Sequence, residues 1–361
     1  MMKNNKLKKL ILIAGSTGGH ALPIFDIYQE LKDEYQIKIF VSGSAIEHDI
    51  FKGTPRVKII SGRLNRHSFV KMLLGLFSIA IGFIEAFFYL LFNRPKLIMA
   101  KGGFLAVPVL SAAKILNIPY FTHESDSEMG LTNKKYGLSA KKLFVGFPLE
   151  VYNDAIAKKA EYSGQIIRKV FLTHKKERIY KNRIMITGGS QGARKINQQI
   201  FEILPELLKK YEILHQIGER DIIEANNILN NLNQTEKTQY HTFGFSVEDI
   251  EKGMTEADLI IGRAGANTIG EIAALSKASI LIPYPHAATD HQNKNAKYLE
   301  KTGSAIIIKE EVLNSKILLD IIDYLFSDKK NLEVLGKKIS NAIKINGLEV
   351  ISKEIKKFMD S

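Results

Sequence analysis

The stretch LILIAGSTGGHALP, Leu10–Pro23, decides the fold class, because an apolar run ends abruptly in a glycine-rich turn. A short apolar run bounded by turn residues is typical of a buried strand in a parallel sheet. A glycine turn straight after such a strand lets a ligand approach the backbone, and the N–H groups of the following helix suit a phosphate or diphosphate. A tight turn without a ligand is the alternative. The stretch lacks the G-x-G-x-x-G spacing of a dinucleotide site and the Gly-Lys-Ser/Thr of a Walker loop.

The composition is that of a packed globular protein, with 45% hydrophobic and 25% charged residues among 361. The absence of cysteine excludes disulfides and thiolate metal sites. A formal net charge of +13 predicts an anionic partner: nucleic acid, an acidic membrane face or a phosphorylated substrate. An AT-rich genome would also produce a Lys-rich chain. We find no nucleic-acid-binding motif, and the first apolar run is too short for a signal peptide, so we expect a cytoplasmic protein.

Short apolar runs alternate with longer helical stretches, which is typical of parallel β/α units. The predicted strands are 10–14, 37–41, 57–60, 97–100, 120–122 and 143–145, then, after a polar crossing, 184–187, 213–216, 259–261, 279–282 and 305–308. We expect an α/β fold of two Rossmann-like, doubly wound domains that face a cleft, with ligands at the carboxyl ends of the strands. The expected domains are 1–163 and 164–343, with a helix in 344–361 that returns to the first.

One stretch, Met72–Phe92, is apolar nearly all round, and Glu85 is its only charge. It has the length of a transmembrane helix, and basic residues flank it: Arg66, Lys71, Arg94 and Lys96. A transmembrane helix is disfavoured here, because it would put two strands of one sheet on opposite sides of a bilayer. Two alternatives remain: a buried crossover helix, and a helix whose outer face enters the membrane interface.

Three further glycine turns follow predicted strands and precede helices: Lys101-Gly102-Gly103-Phe104, Gly188-Gly189-Ser190-Gln191-Gly192 and Ala264-Gly265-Ala266-Asn267. Each is a weak signal alone. Four such turns are hard to explain by turn formation only, so we expect them to bind ligands.

Several polar residues admit two interpretations. His123, Glu124 and Asp126 follow a strand end, where acid–base groups lie, but a polar loop with helix-capping residues has the same pattern. Thr268 and Glu271 have the spacing of a capping box, whereas Glu271 could equally accept hydrogen bonds from a ribose diol. The stretch Asp290–Ala296 fits an N-cap followed by a polar helix face. No cluster has zinc spacing, and no G-x-S-x-G elbow is present.

Together these motifs resemble those of the MurG family of glycosyltransferases. In the first half, Thr17-Gly18-Gly19-His20 with Pro23, Gly102-Gly103-Phe104 with Pro108, and the HESD and GLTNK stretches within 123–134 match in order. In the second half, GGSQGA, HQIG, ADLIIGRAGANTIGE and DHQNKNA match. The resemblance runs from Leu10 to Ile308, nearly the whole chain.

The resemblance implies the two-domain GT-B fold, with the acceptor in the first domain and the nucleotide sugar in the second. It implies inverting transfer of GlcNAc from UDP-GlcNAc to the 4-hydroxyl of MurNAc in lipid I, giving lipid II for peptidoglycan synthesis. It implies no metal or other cofactor and no nucleic acid. The implied partners are UDP-GlcNAc, lipid I, an anionic inner membrane surface and cell-wall synthesis proteins, and the implied location is peripheral, at the cytoplasmic face of the membrane.

The resemblance also assigns residues to roles. His20 is the first candidate for the base, and His123, Glu124 and Asp126 are the second choice. The implied donor-binding residues are Thr17, Gly18, Gly19, Arg168, Ser190, Gln191, Val247, Ala266, Asn267, Thr268, Glu271 and Gln292. The implied acceptor-binding residues are Ser16, Thr17, Gly18, Gly19, His20, Gly103, Phe104 and Asn133. Within the donor set, Arg168 is expected on the diphosphate, Glu271 on the ribose, Gln292 near the sugar and the Val247 backbone at the uracil.

Three positions depart from the family pattern. Ser16 stands where glycine is usual, Ile166 where proline is usual, and Ala264 where serine is common. Three alternative functions also remain: a related UDP-sugar transferase acting on a diacylglycerol-type lipid, a UDP-GlcNAc 2-epimerase, and a catalytically silent scaffold. Retention of His20 and Glu271 argues against the scaffold.

Overall fold

The computed structural model describes residues 7–15, 18–62, 68–173, 180–189 and 192–361. The chain divides into two compact units. Unit 1 consists of Met1–Ile166 with Asn346–Ser361, and unit 2 is Ile167–Ile345. Each unit is a parallel sheet covered by helices, so the predicted α/β class is confirmed.

The sheet of unit 1 has seven parallel strands in the order β3-β2-β1-β4-β5-β6-β7. The strands are β1 Lys9–Ile13, β2 Gln36–Val41, β3 Arg56–Lys58, β4 Leu97–Ala100, β5 Tyr120–Glu124, β6 Lys142–Val145 and β7 Ala160–Tyr162. The helices are α1 Gly18–Leu31, α2 Ala45–Ile50, α3 Phe69–Asn93, α4 Ala106–Ile115, α5 Leu131–Tyr136, α6 Asp154–Lys159 and, at the C-terminus, α16 Gly347–Asp360.

Both faces of this sheet are buried, which explains why its central strand β1 is continuously apolar. Leu10 and Leu12 face a cluster that includes residues of α1 and α16. Ile11 and Ile13 face the opposite cluster, to which α3 and α4 contribute. The helix α16 therefore belongs to the core of unit 1, although it is the last element of the chain.

The long helix α3 packs by a narrow stripe and exposes the rest. Its buried residues are Gly75, Gly82, Ala86 and Leu90. Its only acidic residue, Glu85, accepts a hydrogen bond from the Ile60 N–H at 2.8 Å. Its exposed large apolar residues are Phe69, Val70, Leu73, Leu74, Leu76, Phe77, Ile84, Phe88, Leu91 and Phe92.

This exposure excludes one of the two alternatives for Met72–Phe92. A buried crossover helix is wrong, because only 22% of the most apolar 18-residue window is buried. Among the helices of the described ranges, α3 alone is long and apolar enough to cross a membrane, with a mean hydropathy of 2.1 in that window. It connects β3 and β4, which lie in one sheet.

The sheet of unit 2 has six parallel strands in the order β10-β9-β8-β11-β12-β13. The strands are β8 Arg183–Thr187, β9 Glu212–Gln216, β10 Tyr240–Phe243, β11 Leu259–Gly262, β12 Ala278–Leu281 and β13 Ile306–Ile307. The helices are α7 Lys169–Thr173, α8 Arg194–Leu207, α9 Ile222–Asn231, α10 Gln234–Gln239, α11 Val247–Glu256, α12 Ala266–Leu275, α13 His291–Lys301, α14 Ser315–Ser327 and α15 Lys329–Ala342.

A buried polar network ties β9 to its neighbours in unit 2. His215 is fully buried, with Nδ1 3.0 Å from the Tyr240 hydroxyl and Nε2 3.0 Å from Asn197 Oδ1. Asn197 in turn donates to Asp221 Oδ2 at 2.7 Å. Burial lowers the pKa of His215 to about 3, so the ring is neutral near pH 7.

The two segments that leave unit 1 are joined to each other inside it. The Gly347 N–H donates to the Gln165 carbonyl at 3.0 Å. A Cβ at Gly347 would lie 2.6 Å from the carbonyl oxygens of both Gly164 and Gln165, so only glycine fits.

We therefore expect Gly347→Ala to destabilise unit 1 by about 1–3 kcal/mol, the usual cost of overpacking. Urea unfolding of the purified chain measures this change. Gly244→Ala is the matched control, because a Cβ there meets no atom within 4 Å. Equal effects of the two substitutions would contradict the packing argument.

Because His215 is buried in its neutral form, we expect the protein to lose stability in acid. Its pKa is lowered in the folded state, so the unfolded chain binds the proton first, and stability is lost as pH falls below about 6.5. At pH 5 this loss amounts to roughly 2 kcal/mol relative to pH 8. Between pH 8 and pH 5, the free energy of unfolding of the wild type should therefore fall by about 2 kcal/mol more than that of His215→Gln. The exposed His48→Gln should keep the wild-type slope; parallel curves for all three proteins would refute the prediction.

Candidate functional site

Each sheet has one point where the strand order reverses, and the predicted glycine turns lie at these two points. In unit 1 the reversal is between β1 and β4, because the chain first winds outward through β2 and β3 and then returns beside β1. In unit 2 it is between β8 and β11. Loops diverge at such a point and leave a crevice at the carboxyl ends of the strands, where open α/β sheets bind ligands.

In unit 1, two glycine turns meet around His20. A Cβ at Gly15 would lie 2.4 Å from the His20 Cβ, and one at Gly103 would lie 3.7 Å from the His20 Cδ2. Gly102 and Gly103 have φ of 86° and 78°, a left-handed conformation that favours glycine. The predicted acceptor residues Gly18, Gly19, His20 and Gly103 are thus brought together. Phe104 directly follows Gly103, and Ser16 and Thr17 lie outside the described residues.

Asn133 and Glu124 bond to each other and to the backbone of the stretch 123–130 in unit 1. The Asn133 amide donates to the His123 carbonyl at 3.1 Å and to Glu124 Oε2 at 2.9 Å. Glu124 also accepts from the N–H groups of Asp126 and Gly130, at 3.1 and 2.9 Å. Burial, followed by the charge of Asp126, raises the pKa of Glu124, and the three N–H donors oppose the rise. These contacts show Glu124 and Asn133 organising the loop 124–133.

The buried state of His123 argues against its candidacy as the base. Its ring is fully buried, and Nε2 lies 3.1 Å from the Gly164 carbonyl. Burial, assisted by the charge of Lys101, lowers the pKa of His123 to about 3. Asp126 is only partly buried. Of the four candidates for acid–base work, His20 and Asp126 are therefore the two with solvent-accessible side chains.

In unit 2, the first glycine turn is shaped by its neighbours. The Gln216 side-chain carbonyl accepts from the Gly188 N–H and from the Thr187 hydroxyl, each at 3.1 Å. A Cβ at Gly188 would lie 2.3 Å from the Ala193 nitrogen, so the turn requires glycine there. Ser190 and Gln191, two predicted donor contacts, lie outside the described residues.

The second turn of unit 2 delivers the N-terminus of α12. The N-cap is Gly265, which has no side chain to bond the first-turn N–H groups. Ala266, Asn267 and Thr268 form this first turn, where the helix dipole favours an anion. The helix begins at Ala266, so Thr268 is its third residue and Glu271 its sixth. The capping-box interpretation of Thr268 and Glu271 is therefore wrong.

Arg168 connects Glu271 to a carboxylate that the sequence did not reveal. Its Nη2 donates to Glu271 Oε1 at 2.8 Å, and its Nη1 donates to Glu251 Oε1 at 2.6 Å. The guanidinium also lies over the Phe171 ring, 4.5 Å from the centroid. Arg168 is almost fully buried. The two residues predicted to contact diphosphate and ribose are thus adjacent.

The segment before α13 carries backbone strain next to Gln292. Thr289 and Asp290 both have positive φ, 55° and 59°, which side chains with a Cβ rarely adopt and which clusters at ligand sites. Asp290 stands at the N-cap but makes no capping hydrogen bond. Gln292 Oε1 accepts from the Tyr284 N–H at 2.9 Å, which directs the amide nitrogen of Gln292 the other way.

Arg263 is a further residue that sequence analysis missed, although it lies within the GRAGA stretch. Its Nη1 donates to the Ile282 carbonyl at 3.2 Å and forms an ion pair with Glu310. Its guanidinium lies 5.2 Å from the Tyr284 ring centroid. Arg263 thereby fixes the segment that bonds Gln292.

Val247 is the first residue of α11, so its N–H has no partner within the helix. This backbone group is compatible with the predicted contact to a base edge. Within the described ranges, no group of three or more His, Asp or Glu side chains could hold a metal ion.

Two family models match the chain. The glycosyltransferase family 28 N-terminal domain matches residues 10–145, and the family 28 C-terminal domain matches residues 183–355. Together they cover most of both units.

Full-length relatives carry a common name. A protein of Clostridium perfringens (strain 13 / Type A), 36% identical over 98% of this chain and 99% of its own length, is named UDP-N-acetylglucosamine--N-acetylmuramyl-(pentapeptide) pyrophosphoryl-undecaprenol N-acetylglucosamine transferase. A protein of Clostridium tetani (strain Massachusetts / E88) with the same name is 33% identical over 97% of this chain and 98% of its own.

The fold also matches solved structures. The Acinetobacter baumannii MurG crystal structure superposes with a TM-score of 0.74 at 24% identity, covering 97% of this chain and 99% of that one. The Staphylococcus aureus MnaA–UDP structure superposes with a TM-score of 0.70 at 13% identity, covering 98% and 97%. These likenesses establish the fold.

The motif resemblance is therefore confirmed over the whole length: the chain belongs to glycosyltransferase family 28 and, within it, to the MurG family of N-acetylglucosamine transferases.

Proposed function

We propose that this protein transfers GlcNAc from UDP-GlcNAc to the 4-hydroxyl of MurNAc in undecaprenyl-pyrophosphoryl-MurNAc-pentapeptide, lipid I, with inversion at the anomeric carbon. The observation that carries the proposal is the 36% identity, over nearly both entire chains, to relatives named for this transfer. The product, lipid II, serves peptidoglycan synthesis and through it cell shape and division.

We assign the donor to unit 2 and reserve the first glycine turn, whose Gly18 and Gly19 the resemblance implies for both substrates, for the acceptor. The first turn of α12 and the Gly188 turn would bind the diphosphate, Glu271 the ribose and the Val247 backbone the uracil. In the structure Arg168 and Glu271 bond each other at 2.8 Å. Binding of UDP-GlcNAc would exchange this ion pair for two ligand contacts, Arg168 to the diphosphate and Glu271 to the ribose hydroxyls. Gln292 would offer its amide N–H groups to the sugar, because its oxygen is occupied by Tyr284.

We assign the acceptor diphosphate to the two glycine turns of unit 1. The N–H groups at the start of α1, with the left-handed turn at Gly102 and Gly103, form the kind of backbone cradle that binds phosphates. Asn133 would act by holding this region in shape, through its contacts with Glu124 and the His123 carbonyl.

The reaction needs a base and a stabilised leaving group. As the MurNAc O4 attacks C1 of GlcNAc, the base takes the hydroxyl proton, the C1–O bond to UDP breaks, and its electron pair leaves with UDP. His20 is our candidate for the base, because it lies between the two unit 1 turns and remains partly exposed. The developing charge on UDP would be stabilised by Arg168 and by the N-terminus of α12.

We place the protein at the cytoplasmic face of the membrane as a peripheral protein, on the basis of α3. Ten large apolar side chains of this helix are exposed, an area that soluble monomers rarely leave open. Exposed Lys71, in the first turn of α3, and exposed Arg94, just after its last residue, would attract anionic lipids. Arg66 lies outside the described residues. A helix that lies in the interface keeps β3 and β4 in one sheet.

The direct test of the reaction is UDP release from UDP-GlcNAc, with and without a lipid I analogue. We expect the wild type to release UDP only when the acceptor is present. A UDP-GlcNAc 2-epimerase would not require the acceptor. Release with a diacylglycerol acceptor but not with lipid I would replace the proposal by the related lipid glycosyltransferase. A protein that binds UDP but releases none with either acceptor would be the scaffold.

The same assay separates the two predicted roles. His20→Ala should lower kcat about 100-fold or more with little change in the UDP-GlcNAc KM, the usual loss when a general base is removed. Glu271→Ala should raise the UDP-GlcNAc KM about tenfold or more, because charge-assisted hydrogen bonds to the ribose are lost. His48→Ala and Glu300→Ala, both at exposed positions, are the controls. An unchanged kcat in His20→Ala would remove His20 as the base.

Membrane binding is tested at the most exposed aromatic residues of α3. Phe69, Phe77 and Phe92 are 70%, 67% and 79% exposed, so their replacement by glutamine should leave the unfolding temperature unchanged. Partition onto vesicles with anionic lipid should fall at least tenfold, because three apolar contacts are lost. Ile223→Gln, 77% exposed in unit 2, is the matched control. Equal loss of binding in the control, or none in the triple variant, would reject α3 as the membrane face.

A further inference from the structure

Pro23 leaves a gap in the hydrogen bonding of α1. In a helix the carbonyl of residue i accepts from the N–H of residue i+4, so the Gly19 carbonyl would pair with residue 23. Residue 23 is proline, which has no N–H to donate. The first turn of α1, where we place the acceptor diphosphate, therefore needs a donor from elsewhere.

Lys101 supplies that donor. Its Nζ lies 2.7 Å from the Gly19 carbonyl oxygen, a short charge-assisted hydrogen bond. Lys101 is the first residue after β4 and is only 4% exposed, which is unusual for a lysine. The two residues that follow it, Gly102 and Gly103, form the second turn of the same candidate site.

The position of the ammonium determines how it can act. Helix carbonyls point toward the C-terminus, so Lys101 Nζ lies behind the first turn of α1, on the side away from a ligand at the N–H groups. Its charge would act through the protein interior, where salt screens little. Burial lowers the pKa of His123, and the Lys101 charge lowers it further.

We propose that the Lys101 ammonium replaces the N–H that Pro23 removes, and thereby fixes a buried positive charge behind the turn that binds the acceptor diphosphate. This inference rests on the proposed function for the identity of the anion. Lys101 is a positioning residue: it sets the conformation of the turn and raises its affinity for the anion without touching it.

The experiment separates the hydrogen bond from the charge. Lys101→Met removes both. Pro23→Ala/Lys101→Met returns an N–H to position 23, and so satisfies the Gly19 carbonyl, while the charge stays absent. Pro23→Ala alone keeps the charge. Lys114→Met, at an exposed position of α4, removes the same net charge from the same unit and is the control.

Two readouts are needed. The first is inorganic pyrophosphate binding by calorimetry, with saturating UDP present to occupy the donor site. The second is the KM for a short-chain lipid I analogue beside the KM for UDP-GlcNAc. Thermal unfolding of each variant verifies that it is folded.

We expect Lys101→Met and the double variant to bind pyrophosphate and the acceptor at least tenfold more weakly, with the UDP-GlcNAc KM unchanged. Pro23→Ala and Lys114→Met should stay near the wild type. Recovery of affinity in the double variant would overturn the proposal, because the hydrogen bond alone would then explain Lys101. Wild-type affinity in Lys101→Met would overturn it too.

The outcomes also distinguish this inference from the proposed function. Suppose that the wild type transfers no GlcNAc to lipid I, but its pyrophosphate affinity depends on Lys101. The proposed function would then be refuted, and the proposed role of the Lys101 charge would stand. A wild type that transfers GlcNAc, with Lys101 variants unchanged in both readouts, would refute only the role of Lys101.

Discussion

The topology of the parallel sheet is the constraint on which the rest of the structure depends. Parallel strands all deliver their carboxyl ends to one edge, and a doubly wound order leaves one point where adjacent loops run apart. In unit 1 this point lies between β1 and β4, and in unit 2 between β8 and β11. The glycine turns occur on the strands that border these points. Gly102, Gly103, Gly189 and Gly192 all have positive φ, a conformation that favours glycine.

Three ionisable side chains bond to these turns or to the segments beside them, and two of the three, Lys101 and Glu124, are buried. Lys101 holds the first turn of α1, Glu124 gathers three N–H groups of the loop beside it, and Arg263 fixes the segment that orients Gln292. Such side chains are costly to bury unless they are bonded, and each is bonded to backbone or to an opposite charge. The turns consist largely of glycine, so Lys101, Glu124 and Arg263 supply the side-chain contacts in this part of the structure.

The sequence predicted the architecture well and the supporting contacts poorly. Eleven predicted strands have counterparts, and the central ones were recognisable because a strand buried on both faces is continuously apolar. The two missed strands, Ala160–Tyr162 and Tyr240–Phe243, contain polar residues and lie at sheet edges. Motif spacing located the four turns, whereas the partners of Arg168 and Lys101 could not be found from spacing: Glu251 is 83 residues from Arg168, and Gly19 is 82 residues from Lys101. His123 was a candidate base because sequence shows residue type but not burial.

We propose that the two reversal points bind different ligands, the acceptor diphosphate in unit 1 and the nucleotide in unit 2. Hydrogen exchange with mass spectrometry, with UDP alone and then with an undecaprenyl-diphosphate analogue, tests it most directly. We expect UDP to slow exchange at the Gly188 turn and in 264–271 and to leave 18–20 and 102–103 unchanged. The lipid diphosphate should slow exchange in 18–20 and 102–103 and leave the Gly188 turn and 264–271 unchanged. Protection of 18–20 by UDP would refute this division of ligands, because the first glycine turn of the chain would then be a nucleotide site.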